Sequence, residues 1–500
     1  MENLQLKFIT NKVTIRWLKI LDMLERSRVC SSKQIADSLK IGIRTISTDI
    51  REMREHFGSS VEISSEYVGY FFKEINPDLY HMRKRELIKG EVLFIVLKSI
   101  LNGNLHTFEE WAFKFHLSES TMKRYLMSAE ETLQEYELKF ALTPVDLLGE
   151  EANIRKFFKD FYYEVEIVPH TLLPIDQMRK FIEQYTNLNQ FKFNTNISQS
   201  DFSYYLYIMI QRIKSKRHLK TNKPMNVFVY SEHEKNFFNA LDTYVYSEEG
   251  VIIPQEEKKI LYLYCACQRT INDIEREKDF CNQFDKEMSL KKVSYSFLSI
   301  YDEKLYLMNP DLSYYVHSFF TAIQNLDNIH PIFNRNVTGI NEFSNSAYPE
   351  GMKIAYQFIK KNCAVLNVST KFIDDIVANL VLTVESIKDL HKPNPKKIAF
   401  LIEGSYYLSR SIESKAYRYL GAHHQIYFIN MNKLNKKFLS ENKIDIFVTN
   451  QGDYITEFLA NVEYLVFKSL PDISDWNNLL KMINPQLGKD LRLGKVVYEK

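Results

Sequence analysis

Three groups of side chains in this 500-residue chain are equipped for chemistry. One is a run of guanidinium and hydroxyl groups, Arg44, Thr45, Ser47, Thr48 and Arg51, with Lys33 just upstream. A second repeats that mixture as Ser118, Ser120, Thr121, Lys123 and Arg124. The third is His218, set among Lys214, Lys216, Arg217 and Lys220, with His330 as its distant counterpart. Cations neutralise phosphates, and arginine also grips a guanine edge through two bonds, worth about 1–3 kcal/mol of discrimination. A phosphorylated imidazole gains negative charge and acceptor oxygens, which draw neighbouring cations inward. A plain basic surface at a helix end is the alternative for His218. No convergent nucleophile, base and acid, no metal spacing and no phosphate loop accompanies these groups. No catalytic residue, metal or cofactor is therefore expected, and the chain reads as a non-enzyme.

The elements that must carry the first two groups repeat. Ser31 or Ser32 can cap a helix in which Ile35, Ala36 and Leu39 share one face. A second helix is predicted from near Gly42 to about His56, with Ile46, Ile50 and Met53 inward. That leaves the Arg44–Arg51 polar set outward near its start, where a recognition helix meets base edges and phosphates. Arg26 to Arg54 holds seven Lys/Arg against three Asp/Glu. The local excess of cations favours a polyanion. A wing is expected from Val61-Glu62-Ile63 and Tyr67–Phe72. From Thr107 the pattern recurs in register. Ala112 answers to Ala36, Phe115 to Leu39, Met122 to Ile46 and Leu126 to Ile50. Leu142–Gly149 reads as its wing. For this second copy, packing or dimerisation stays open beside DNA contact.

Composition narrows the classes. The chain is 45% hydrophobic and carries a net charge of only +2, so nucleic-acid affinity must come from local patches. Five cysteines, Cys30, Cys265, Cys267, Cys281 and Cys363, are scattered without disulfide spacing. No apolar run reaches the roughly 18 residues of a membrane span, and the start lacks signal-peptide character. A reduced, cytoplasmic protein with no membrane partner is expected.

From Glu150 to about Lys392 the pattern is helical. Asp201-Phe202-Ser203-Tyr204-Tyr205 recurs as Asp311-Leu312-Ser313-Tyr314-Tyr315, each followed by a histidine expected near the end of the same helix. Two successive bundles fit this echo. A Pro-rich linker through Pro393-Asn394-Pro395 leads to strand-like Lys397–Ile402, Gln425–Ile429, Ile444–Val448 and Glu463–Phe467, with helix-like stretches between or after them. This alternation predicts a small parallel α/β domain. The adjacent His423 and His424 read as a solvated turn rather than metal ligands.

The order of parts resembles the Mga/AtxA-type transcription regulators. The most specific segments are Arg44-Thr45-Ile46-x-x-Asp49-Ile50, Gly149-Glu150-x-x-x-Ile154-Arg155, and Gln211-Arg212-Ile213-Lys214-x-x-x-His218. The resemblance implies a multidomain, mainly α fold. Its parts would be winged helix-turn-helix units at 1–75 and 76–160, helical phosphotransferase-system regulation domains (PRD) at 161–284 and 285–392, and an enzyme IIB-like α/β domain at 397–500. It also implies a DNA-binding regulator, usually an activator, that acts on promoter duplex as a homodimer. Its partner would be the phosphotransferase-system (PTS) phosphocarrier protein, with His218 and His330 phosphorylated. An RNA-binding antiterminator with the same regulation bundles is the alternative; antiterminators begin with a small β domain, whereas this chain begins with helices. The enzyme IIB acceptor cysteine is absent, since 397–500 contains none and the loop reads Glu403-Gly404-Ser405. Lys40 occupies a turn position where related sequences often have glycine.

Overall fold

The computed structural model describes residues 4–164, 167–172, 197–221, 223, 230–285, 288–336, 339–391, 395–421, 424–429, 436–452 and 462–483. Residues 392–394 of the expected linker, and His423, lie outside the described residues. The fold is mainly helical and divides into two compact units, Met1–Val384 and Glu385–Lys500.

The first helix-turn-helix begins with helix Lys12–Ser27, whose start is capped by the Asn11 side chain. Helices Ser32–Leu39 and Ile43–Phe57 follow. Strands Val61–Glu66 and Gly69–Glu74 pair antiparallel, placing Ile63 opposite Phe72, and the short strand Val29–Cys30 adds to the outer edge. Ile20, Leu24, Ile35, Ile46, Ile50, Met53, Ile63 and Phe72 close one core. Tyr80 joins that core, so helix Pro77–Glu86 belongs to this unit and carries it past the expected boundary at 75.

The second copy is built from helices Phe108–Lys114 and Glu119–Ser128 and the hairpin Lys139–Leu142 with Val145–Leu148. Its Trp111, Met122, Leu126 and Val145 share a single core with Phe8, Phe157, Phe161 and the tyrosine-rich helix Gln199–Lys214. The boundary expected at 160 therefore runs through continuous apolar packing. Helix Glu151–Tyr163 is buried along most of its length and forms the shared wall. Beyond it the described residues are helical as far as His391, including Gln255–Ala266, Ser313–Ile329, Pro349–Leu366 and Ile373–His391. No described helix is long and apolar enough to cross a membrane. All five cysteines are free, and four of them are buried.

In the C-terminal unit, strands Lys397–Leu401, Gln425–Phe428, Ile446–Thr449 and Glu463–Val466 form a parallel sheet. The order from edge to edge is second, first, third, fourth. Side chains alternate across a strand. Ile398 and Phe400 accordingly pack on Ile412, Ala416 and Leu479, while Ala399 and Leu401 pack on Leu439 and Phe447. Both faces are thus covered, which explains why the strands read as unbroken apolar runs.

Candidate nucleic-acid interface

The two helix pairs are built by the same local devices. The Ser31 hydroxyl accepts from Gln34 N at 3.1 Å, and the Gln34 side chain returns to Ser31 N at 2.8 Å. Thr107 and Glu110 make the same reciprocal cap at 3.3 and 2.8 Å. Such a box satisfies two helix-start amides at once. The turns also agree. Lys40 (φ 55°) and His116 (φ 54°) both take left-handed backbone, and the Lys40 N–H closes the preceding helix on Ala36 O. The departure from glycine at Lys40 leaves the turn geometry intact, at a strain of about 1–2 kcal/mol.

In the first unit Ile46, Ile50 and Met53 are buried, while Arg44, Thr45, Ser47 and Arg51 are exposed and Thr48 is half-buried. Lys33 is exposed on the preceding helix. Neighbouring cations are already engaged: Arg54 donates to Ile63 O and Ser65 Oγ, anchoring the wing, and Arg26 pairs with Asp22. Among the described residues Lys33, Arg44 and Arg51 have no ion-pair partner. Their charge remains available to a polyanion. Ser47 and Thr48 donate to the backbone oxygens of Ile43 and Arg44, so toward a ligand they act as acceptors. One lock was not legible in the sequence. Asp49 points inward from helix Ile43–Phe57 and is 1% exposed. Arg16 grips it through two nitrogens, the second at 2.6 Å, and Trp17 Nε1 donates to it at 3.2 Å. The Asp49 hydrogen bond holds the Arg16 pKa above its ordinary value, against the opposing pull of burial. This clamp fixes helix Ile43–Phe57 against helix Lys12–Ser27.

In the second unit Ser118, Ser120, Lys123 and Arg124 are exposed and Thr121 is half-buried. Ser118 caps the helix through Thr121 N and lies 3.0 and 2.9 Å from the Ser120 and Thr121 hydroxyls. Lys123 and Arg124 are without an ion pair among the described residues; the Arg124 guanidinium lies over the Tyr125 ring. Glu119 in the first turn weakens this end as a phosphate site. The stretch read as its wing forms a hairpin that buries Val145 and Leu147 and leaves Thr143 and Pro144 exposed at its tip, and Val145 N bonds His106 O. The first wing likewise buries Ile63 and Phe72 and ends in fully exposed Tyr67.

Residues 64–162 match the Mga helix-turn-helix domain. The match spans the whole second unit and all but the last residue of helix Glu151–Tyr163, and begins inside the first wing. The chain is also 23% identical over 158 residues to a protein of Streptococcus pneumoniae serotype 4 named "Putative trans-acting regulator". That alignment covers 31% of this chain and 32% of the relative, about a third of the relative's length. These likenesses support a DNA-binding transcription regulator. The signature falls on the copy whose role the sequence left open.

The Mga-type segment is tied to the following helices by buried charge. Arg155, 2% exposed, bonds both oxygens of Glu257 at 2.7 and 2.8 Å. Burial opposes its charge, but Glu257 and Glu151 hold its pKa above the ordinary value. Arg212 grips Glu151 at 2.9 and 2.7 Å. Arg217 reaches Asp146 of the hairpin at 2.9 Å, and its carbonyl accepts from Arg155.

His218 stands beside this network, but not on a helix. Helix Gln199–Lys214 ends four residues earlier, and Lys216 at φ 58° turns the chain away. The His218 side chain is 49% exposed, with Nδ1 3.9 Å from Glu257 Oε1. His330 differs. It lies just past helix Ser313–Ile329, is 3% exposed, bonds Glu150 Oε2 through Nε2 at 3.1 Å, and accepts from Ile332 N through Nδ1. Burial lowers its pKa. Both ring nitrogens make hydrogen bonds, so His330 acts here as a capping residue. The structure does not bring the two histidines into equivalent settings, because one follows a turn and the other caps one.

Proposed function

We propose that this chain is an Mga-type transcription regulator, an activator that binds promoter duplex as a homodimer. Recognition rests on Lys33, Arg44, Thr45, Ser47, Thr48 and Arg51, with Ser118, Ser120, Thr121, Lys123 and Arg124 as the second contact set. The carrying observation is that Lys33, Arg44 and Arg51 stand exposed and unpaired, while nearby Arg16, Arg26 and Arg54 are engaged. The printed name of the pneumococcal relative agrees with this reading. A mobility-shift titration on upstream promoter DNA tests it. The logarithm of affinity falls with that of salt, with a slope of about 0.9 per phosphate contacted. Arg44→Ala costs about 5- to 150-fold on the specific site, equivalent to about 1–3 kcal/mol, and much less on random duplex. Unchanged affinity and selectivity would refute the placement of the first recognition helix.

The second part of the proposal is regulation through histidine phosphorylation by the PTS phosphocarrier. His218 is the favoured acceptor because it is exposed and flanked by Lys216, Arg217 and Lys220. A phosphoryl group there adds negative charge near Glu257 and competes with Asp146 for Arg217. His330 joins only if its cap opens. Incubation with labelled phosphocarrier should label the parent protein and not His218→Ala. Label undiminished in His218→Ala removes this acceptor. The C-terminal unit, with no cysteine from 397 to 500, is read as an IIB-like partner or dimerisation module rather than a phosphoryl carrier.

A further inference from the structure

A cavity of about 400 Å³ lies within the unit Met1–Val384. It opens where the segment following helix Gln255–Ala266 meets helices Ser313–Ile329 and Ile373–His391. Its size falls in the range of small-molecule sites, about 300–1,000 Å³. Phe319, Ile323, Leu326 and Phe333 give it an apolar wall, and Asn334 and Asn379 stand on its lining.

The polar groups decide what fits. Asn334 Nδ2 donates to Ile323 O at 3.0 Å, and Asn379 Nδ2 donates to Asn336 Oδ1 at 3.0 Å. Each amide is anchored through its nitrogen. Among the described residues neither Asn334 Oδ1 nor Asn379 Oδ1 accepts a hydrogen bond. Arg269 also lines the cavity, but Glu277 holds its guanidinium at 2.9 and 2.7 Å and cancels its charge. Gln268, Thr270, Tyr315 and Thr383 also line it, so the cavity offers the two amide acceptors among neutral polar groups, beside an apolar wall and without net charge. A phosphate or carboxylate would meet two carbonyl oxygens and no free cation among the described residues.

We propose that this cavity binds a small uncharged molecule with neighbouring hydroxyl or amide N–H donors on one edge and an apolar ring on the other. The site is independent of the duplex contacts, so the test reads ligand binding and not DNA. Phenyl β-D-glucoside is the probe and phenyl phosphate the charged counterpart, followed by saturation-transfer NMR on the full chain. The glucoside should receive saturation and the phosphate none. Asn379→Leu, which removes one acceptor from a half-buried helix position, should weaken glucoside binding several-fold. Ala322→Phe, which fills the cavity from its lining, should abolish binding. No binding of the glucoside at millimolar concentration overturns the proposal. Equal binding of phenyl phosphate, or undiminished binding in both variants, does the same.

Discussion

Replacing Arg16 by methionine isolates the clamp on the recognition helix. Asp49 is 1% exposed, and among the described side chains its carboxylate is held by Arg16 and by the Trp17 indole alone. Removing the guanidinium leaves a buried carboxylate with one neutral donor. Breaking a buried pair costs about 3–5 kcal/mol, because the remaining charge is uncompensated. The Arg16 side chain is 24% exposed, so water partly screens the pair and the lower end, about 3 kcal/mol, applies. At about 1.4 kcal/mol per factor of ten, opening of the first unit rises about 100-fold. Because the chain has more than one unit, global melting would blur this effect. Backbone hydrogen exchange across Ile43–Phe57 in the intact chain reads it directly. Arg16→Met should speed exchange there about 100-fold and leave helix Pro349–Leu366 unchanged. The double variant Arg16→Met with Asp49→Asn should recover much of the loss, since no charge is then stranded. Exchange within threefold of the parent in Arg16→Met would mean that Asp49 is solvated, and the buried-charge reasoning would be wrong.

Further outcomes follow from the same geometry. Lys40→Gly relieves left-handed strain at a cap and should stabilise the first unit by about 1 kcal/mol in hydrogen exchange. At the helical junction, Glu257→Gln should speed hydrogen exchange across helix Glu151–Tyr163 several-fold, because Arg155 is 2% exposed and keeps only Glu151 as a charged partner. Arg217→Ala should cost under about 1 kcal/mol, since that side chain is 48% exposed. Acidification should destabilise the packing around helix Ser313–Ile329 through His317, which is fully buried with Nε2 2.8 Å from Asp285. Burial lowers the His317 pKa, and the Asp285 hydrogen bond offsets this only in part. Below about pH 6.5 the unfolded imidazole takes a proton that the folded one refuses, so stability falls until the folded pKa is passed. His317→Gln should flatten that stretch of a stability–pH profile.

Periodicity and capping chemistry made the local elements legible. Ser31 with Gln34 and Thr107 with Glu110 specify helix starts from side chains three residues apart, so both helix pairs appear where the pattern puts them. Ile46, Ile50 and Met53 mark the buried stripe, and the outward set follows by subtraction. Runs such as Lys397–Leu401 mark strands covered on both faces. What depends on distant segments was not legible. The Asp49 clamp needs Arg16 from another helix, and Val145 and Leu147 of the second hairpin enter a core shared with Phe157. The echoed segments, whose histidines follow at offsets that differ by two residues, leave His218 open and His330 buried, and the Glu150 that bonds His330 is far from it in the chain. Local hydrogen bonds and side-chain periodicity act over one or two helical turns and are written in consecutive residues. Burial and charge pairing are set by whichever segments the fold brings alongside, and only the tertiary structure decides those.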